Sequence, residues 1–506
     1  MPYDADVIVV GSGAGGATFA YSCACAGKQV LLLERGQSHS NFQLPINENF
    51  TPSARHDEQA MLIDKRPYDD RPVDVNGSSR RLYMGGGLGG GTALYGAALM
   101  RPAWDDFHPG RHYADRLPRS LWNWPISYED LEPYYNQAER LYGVSSNPAD
   151  DFGPLPRPTR LPNASPPLHP VNQRLIAANQ KHGLRPFRLP LAIDFSRCLQ
   201  CHACPGYQCP TGARHSSGQL LETHAAQTVR VLTNHEVERL TLDGQGNADG
   251  VEAIDRSTGR RAVFRARRYV MAAGAIGSPL VLSRSNLDHP HLGRNYMMHY
   301  SPIVVGLFGG RVDAHEAFVK QVGFSDYYFG SEQFAHKMGL VQSLPVPGPL
   351  MLAKAVSRFL PRSILNFLRA RMLPLVGIIE DLPNPANRVF WGTNGRPSLN
   401  HRFAPYDLER GRQLAQLTAS ILKRAGAAYC VTSGFASEEH VAHQCGTARF
   451  GSDPAHAVLD ADCRMFAHPN VFVVDGSFMP TSLGVGPALT IIANALRVAD
   501  IVVREV

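Results

Sequence analysis

The chain begins with an unbroken apolar run, Val7-Ile8-Val9-Val10, and turns through Gly11-Ser12-Gly13-Ala14-Gly15-Gly16. Small residues continue to Cys25, and a second apolar run, Val30 to Leu33, ends at Glu34. Short apolar runs bounded by glycine predict strands buried on both faces, and the Ala-rich stretch between them predicts a helix, giving a βαβ unit. Gly11, Gly13 and Gly16 keep the G-x-G-x-x-G spacing, with Ala14 inside it. Such glycines allow a tight turn, let backbone N–H groups approach a pyrophosphate at the helix N-terminus, and pack helix on strand. Glu34 stands 23 positions after Gly11, where a carboxylate accepts hydrogen bonds from ribose hydroxyls. The unit predicts a dinucleotide site.

A second glycine cluster, Gly85 to Gly91 around Leu88, runs into Thr92 and then Tyr95-Gly96. Backbone without side chains there packs directly against a planar ligand or a phosphate. Seven prolines between Pro154 and Pro170 predict an extended surface connection. Residues 229 to 280 alternate as strands do, with turn signals at Asp243-Gly-Gln-Gly246 and Thr258-Gly259, and predict a hairpin excursion that returns to the nucleotide sheet. Residues 341 to 379 carry five basic residues and no acid, interleaved with apolar ones. Their helical part, 350–372, reads either as a lid or membrane-surface patch or as an ordinary surface helix.

Composition narrows the classes. At 506 residues the chain is long enough for two or three domains with a large core, and 44% hydrophobic with 19% charged residues excludes disorder. A net charge of +6, spread along the chain, builds no concentrated basic face, so no nucleic-acid partner is expected. No signal-like segment precedes the first strand and no apolar stretch is long enough to span a bilayer, so a cytoplasmic protein is expected. Nine cysteines, four of them between Cys198 and Cys209, do not form a secreted disulfide pattern.

Four segments occur together and in order: VVGSGAGG at 9–16, GGGLGGGTALYG at 85–96, AAGAIGSP at 272–279, and HQCGTARFG at 443–451 followed by NVFVVDGSFMPTSLGVGPALTIIANALRVAD. In these the chain resembles the glucose-methanol-choline family of FAD-dependent oxidoreductases. The resemblance implies an α/β fold: a Rossmann-type FAD-binding domain from discontinuous segments (1–100, 215–299 and 441–506) and an α+β substrate domain with an antiparallel sheet (101–214 and 300–440). It implies that Gly11, Gly13, Ala14, Gly16 and Glu34 hold the ADP half of FAD, with Val237 near the adenine. Gly89, Gly90 and Thr92 would lie along the pyrophosphate and isoalloxazine, with Ala273, Asp475, Gly476 and Pro487 completing the site.

Oxidising an alcohol by hydride transfer needs a base for the hydroxyl proton. His443, in a His-x-x-Gly-Thr motif, matches the family's active-site histidine. The family usually places a His or Asn before the proline of its last motif, whereas this chain has Gly486 before Pro487. That departure keeps two alternatives open, a redox-neutral flavoprotein lyase and a non-catalytic flavin-binding partner. The expected substrate is a small-molecule organic alcohol, hydrophobic alcohols included, and the expected acceptor is oxygen, a quinone or a redox protein. Three further polar residues are candidates: His299 as a structural or flavin-contacting residue, Glu380 as a lining of the substrate cavity, and Tyr95 either against the flavin or packed inertly. Cys198-x2-Cys201-x2-Cys204-x4-Cys209 fits structural cysteines, an iron-sulfur cluster or zinc, and no metal is assigned to it. Cys23 and Cys25 are expected in the core.

Overall fold

The computed structural model describes residues 3–38, 68–147, 149–158, 161, 163–201, 204–207, 209–224, 228–355, 359–433 and 439–506. Strand β1 (Ala5–Val10) leads into helix α1 (Ala14–Cys25) and strand β2 (Val30–Leu33). β1 pairs in parallel with β2, Val7 opposite Val30 and Val10 opposite Leu33, and on its other side with the strand Ala266–Met271. The sheet order is Arg464–Met465, His468–Val473, Ala266–Met271, β1, β2, Val229–Leu232. The runs Val7–Val10 and Val30–Leu33 are apolar and buried, α1 packs on both strands and against the C-terminal helix Ala488–Glu505, and the hairpin sheet reaches the parallel sheet through Ala248–Asp255. Connections leave β1 toward both neighbours, so a crevice opens at the carboxyl end of this strand.

The excursion after Val229–Leu232 is a three-stranded antiparallel sheet, His235–Leu242, Ala248–Asp255 and Arg261–Phe264, turning where the glycine signals predicted. A six-stranded antiparallel sheet follows the order Ala427–Ser433, Ile303–Phe308, Met372–Ile379, Gly339–Ser343, Val322–Phe324, Phe187–Arg188. Helix Pro405–Arg424 covers it. The expected α/β fold, a discontinuous Rossmann-type sheet beside an antiparallel one, is the fold observed. A four-stranded sheet joins Pro72–Val75 and Ser78–Arg81 to Arg388–Trp391 and Pro397–Asn400, stretches that the sequence reading assigned to different domains. Cys23 is buried as expected, but Cys25 is exposed, because two positions along a helix turn the side chain through about 200°.

Between the two large sheets lies a buried ionic network. Lys337 Nζ is 2.5 Å from Asp106 Oδ1 and 2.6 Å from Glu380 Oε2. Tyr113 donates to the same Glu380 oxygen at 2.9 Å, and Arg410 donates to Tyr113 at 2.7 Å and pairs with Asp407 at 2.6 Å. The network also grips a loop of the last motif: Leu483 N–H donates to Glu380 Oε1 at 3.1 Å, and Gly484 N–H donates to Tyr328, whose hydroxyl donates to Asp106. Glu380 is thereby committed to the ion network and does not line the cavity, contrary to the expectation for it. Among the described residues no helix is long and apolar enough to cross a membrane.

Removing the single cation between two buried carboxylates strands both. Lys337→Met should lower unfolding stability by about 3–5 kcal/mol, read as a lower urea midpoint of the FAD-loaded protein.

Candidate active site

The first turn is built by close backbone contact. Gly11 has φ +99°, and a Cβ there would stand 2.4 Å from the Ala272 carbonyl oxygen. A Cβ on Gly16 would stand 2.1 Å from the Gly11 oxygen, so this glycine sets how closely α1 lies on β1. The first turn of α1 carries no acidic side chain, which leaves its positive end free for an anion. Glu34 Oε2 accepts from Ser12 N–H at 3.0 Å and Ser12 Oγ at 2.5 Å, and Oε1 accepts from Gly36 N–H at 2.8 Å. Ser12 Oγ in turn accepts from Gly89 N–H at 3.0 Å, which ties the second glycine loop to the first.

A cavity of about 620 Å³ opens above these turns. Val237, Glu34, Gly13, Ala14, Gly90 and Thr92 line it. Ala273, Asp475, Gly476, Pro487 and His443 line the remainder. Gly16 and Gly89 stand behind the wall: Gly89 has φ +94° and abuts the Gly218 backbone. Asp475 is buried and committed to backbone, accepting from Gly274 N–H and Ser477 N–H at 2.8 Å each. Tyr95 lines the cavity, but its hydroxyl donates to the His215 carbonyl at 2.8 Å.

His443 is held by a chain of hydrogen bonds that fixes its tautomer. His299 Nε2 lies 2.8 Å from the Leu483 carbonyl oxygen, which only accepts, so Nε2 carries the hydrogen. Burial lowers the His299 pKa to about 4, so the ring is neutral and its Nδ1 is an acceptor. The other end of that ring meets His443 Nδ1 at 2.7 Å, so His443 donates there. Burial, with His299 and Lys320 adding to it, also holds the His443 pKa well below its usual value. His443 Nε2 is therefore bare. It faces Gly486, whose Cβ, if present, would stand 3.4 Å away. His443 and Leu483 both adopt left-handed φ, +64° and +66°, a strained setting for residues with side chains that the surrounding packing sustains. His299 is thus a positioning residue for His443, a role sequence patterning had no means to show because the two are 144 positions apart.

One feature of the site had no signal in the sequence. Lys320 is buried, lines the cavity, and donates from Nζ to the Gly96 carbonyl at 2.9 Å. Behind it, Cys198, Cys201, Cys204 and Cys209 line one small void with Arg214 and Phe318. None of the four is in a disulfide, and among the described residues the tightly clustered metal-ligating atoms are those of Asp313, His315 and Glu316. His202, beside Cys201, lies outside the described residues.

GMC oxidoreductase family models match residues 5–301 and 388–495. The chain belongs to the GMC oxidoreductase family. It is 32% identical over 527 residues to 6'''-hydroxyparomomycin C oxidase of Streptomyces lividus, covering 97% of this chain and 90% of the relative. It is 29% identical over 539 residues to paromamine 6'-oxidase of Streptomyces fradiae, covering 99% and 91%. Pyridoxine 4-oxidase from Mesorbium loti superposes with a TM-score of 0.66 at 20% identity, covering 98% of this chain and 99% of that one. The protein is a GMC-type oxidoreductase acting on alcohol or sugar CH–OH groups, and its cofactor is FAD. The cavity fits this cofactor. Gly13, Gly91 and Gly274 border it with no atom within 4 Å of where a Cβ would sit, and the acid-free N-terminus of α1 faces it.

His299→Ala should keep FAD bound while flavin reduction slows on the order of 100-fold, because the His443 ring loses its anchor. His299→Gln, which retains both a donor and an acceptor, should recover part of the rate. A depressed histidine pKa makes the unfolded chain bind protons first. Stability should therefore be full above pH 6.5 and fall as pH drops toward 4, with a melting curve that is flatter for His299→Gln.

Proposed function

We propose that this enzyme oxidises the CH–OH group of an organic alcohol to a carbonyl with His443 as the base. The observation that carries the reading is the bare Nε2 of His443 in the cavity, opposite the small wall at Gly486. Bound in the cavity, FAD would supply the two-electron acceptor, with its N5 as the position for the hydride. The hydroxyl proton passes to His443 Nε2 while the carbon gives up hydride, and the oxygen becomes a carbonyl oxygen. Low basicity keeps His443 unprotonated across the neutral range, so the acceptor lone pair is available at every turnover. Glu34 and the acid-free N-terminus of α1, both in the cavity wall, support placing ribose and pyrophosphate there.

Names of the relatives record oxidation of paromamine and of 6'''-hydroxyparomomycin C, which supports testing amino-sugar alcohols first and hydrophobic alcohols beside them. Oxygen, a quinone or a redox protein serves as acceptor. Helices Pro349–Ala355 and Arg362–Arg369 present Leu350, Ile364 and Phe367 to solvent, with Phe359 between the helices, while Met351 lines the cavity. With Arg362 and Arg371 beside them, these side chains support peripheral contact with an anionic membrane surface. Residues 356–358 of this stretch lie outside the described residues.

Anaerobic mixing with an alcohol panel should bleach the flavin, and admission of air then separates oxidase from dehydrogenase. His443→Ala should retain FAD and show no reduction; reduction at the original rate would remove His443 from the mechanism. Gly486→Ala places a methyl group in ordinary contact with Nε2, where the substrate oxygen must approach more closely. Its kcat/KM should fall on the order of 100-fold, with FAD content unchanged.

A further inference from the structure

Two buried lysines in this fold have opposite surroundings. Lys337 sits between Asp106 and Glu380, each within 2.6 Å. Lys320 is 5% exposed yet forms no ion pair among the described residues. An ammonium has three N–H groups, and one of them on Lys320 is used, by the Gly96 carbonyl. Its approach depends on glycine: a Cβ at Gly96 would stand 2.2 Å from Nζ. Gly96 ends the second glycine loop, and both it and Lys320 line the cavity that His443 and Gly486 line. A buried amine with donors to spare, beside the proposed base and in a cavity that admits a ligand, is arranged to bind oxygen of that ligand.

Building on the alcohol-oxidation reading, we propose that Lys320 is the second substrate-contacting residue of the site, its Nζ donating to the oxygen of the reacting CH–OH group while His443 Nε2 takes that oxygen's proton. It supplies from the antiparallel sheet side the polar contact that Gly486 lacks. The balance is complete without further reagents: the proton goes to His443, the hydride to FAD, the C–O bond becomes C=O, and Lys320 keeps its own protons. The cation stabilises negative charge as it develops on oxygen and also suits a carboxylate probe.

The titratable groups facing Lys320 are Cys204 and Arg214 from the cysteine loop and His443 across the cavity. Burial, partly opposed by Cys204 and reinforced by Arg214, lowers the Lys320 pKa to about 8. Burial pushes the Cys204 thiol up to about 12, so it opposes the Lys320 shift only where it ionises. The charged form of Lys320 is present below pH 8 and lost above it, so kcat/KM should be level up to about 8 and decline beyond.

The test compares wild type, Lys320→Met and Lys320→Arg, each loaded with FAD and checked for equal flavin content. Lys320→Met should lower kcat/KM on the order of 100-fold, mainly in kcat, and remove the alkaline limb, while Lys320→Arg moves that limb upward. Acetate, titrated by its perturbation of the flavin absorption band, should bind at least about tenfold more weakly to Lys320→Met at pH 7. Lys320→Gln, which keeps a donor toward Gly96, replaces the Met variant if that one does not load FAD. Wild-type kcat/KM, alkaline limb and acetate affinity in the neutral variants would overturn the inference. Wild-type flavin that no alcohol bleaches would instead overturn the alcohol reading, and acetate affinity alone then decides Lys320: lost binding supports it, retained binding ends it.

Discussion

Because the Leu483 carbonyl accepts from His299 Nε2, the proton order is fixed through two rings to the nitrogen that faces the cavity. A carbonyl has no proton to give, so His299 has no second tautomer to adopt while that bond stands, and His443 inherits a bare Nε2. Most of what surrounds the site keeps Leu483 where this bond needs it. Its own N–H is held by Glu380, its neighbour Gly484 is held by Tyr328, and both partners belong to the ionic network around Lys337. The left-handed backbone at His443 and Leu483 is the local cost of pointing one ring into the cavity and one carbonyl back toward His299.

The same low-dielectric interior treats its charges in two ways. Around Lys337, opposed charges and hydrogen bonds satisfy one another, and the result is a rigid joint between the sheets. At Lys320 the charge faces a cavity, with the Gly96 carbonyl as its hydrogen-bond partner among the described residues. Its remaining N–H groups can donate to a ligand, which is how a site favours one distribution of charge on what it binds.

Glycine serves a single purpose at several points here, removing a side chain where backbone or an amine must come close. At Gly11 and Gly16 this brings strand, turn and helix together; at Gly96 it admits Lys320; at Gly486 it leaves room in front of His443 Nε2. The family resemblance singled out Gly486 as a departure, and the structure shows what the departure leaves: space beside Nε2 rather than a polar group.

Local pattern was enough to place β1, α1 and β2, the hairpin excursion at 229–271, and the glycine turns along the cavity, because strand and helix periodicity and glycine's backbone freedom act over a few residues. The motif at 443 likewise located a histidine that lines the cavity. Three things were decided only when distant stretches met. His299 reaches His443 from 144 positions away, Glu380 is drawn from the expected cavity wall into an ion network with Lys337 and Tyr113, and Lys320 arrives at Gly96 from 224 positions away. Nothing in the residues flanking any of the three encodes its partner, because burial and the company of a charged or tautomeric group are properties of the packed chain, while the glycine turns and apolar strands are properties of the sequence itself.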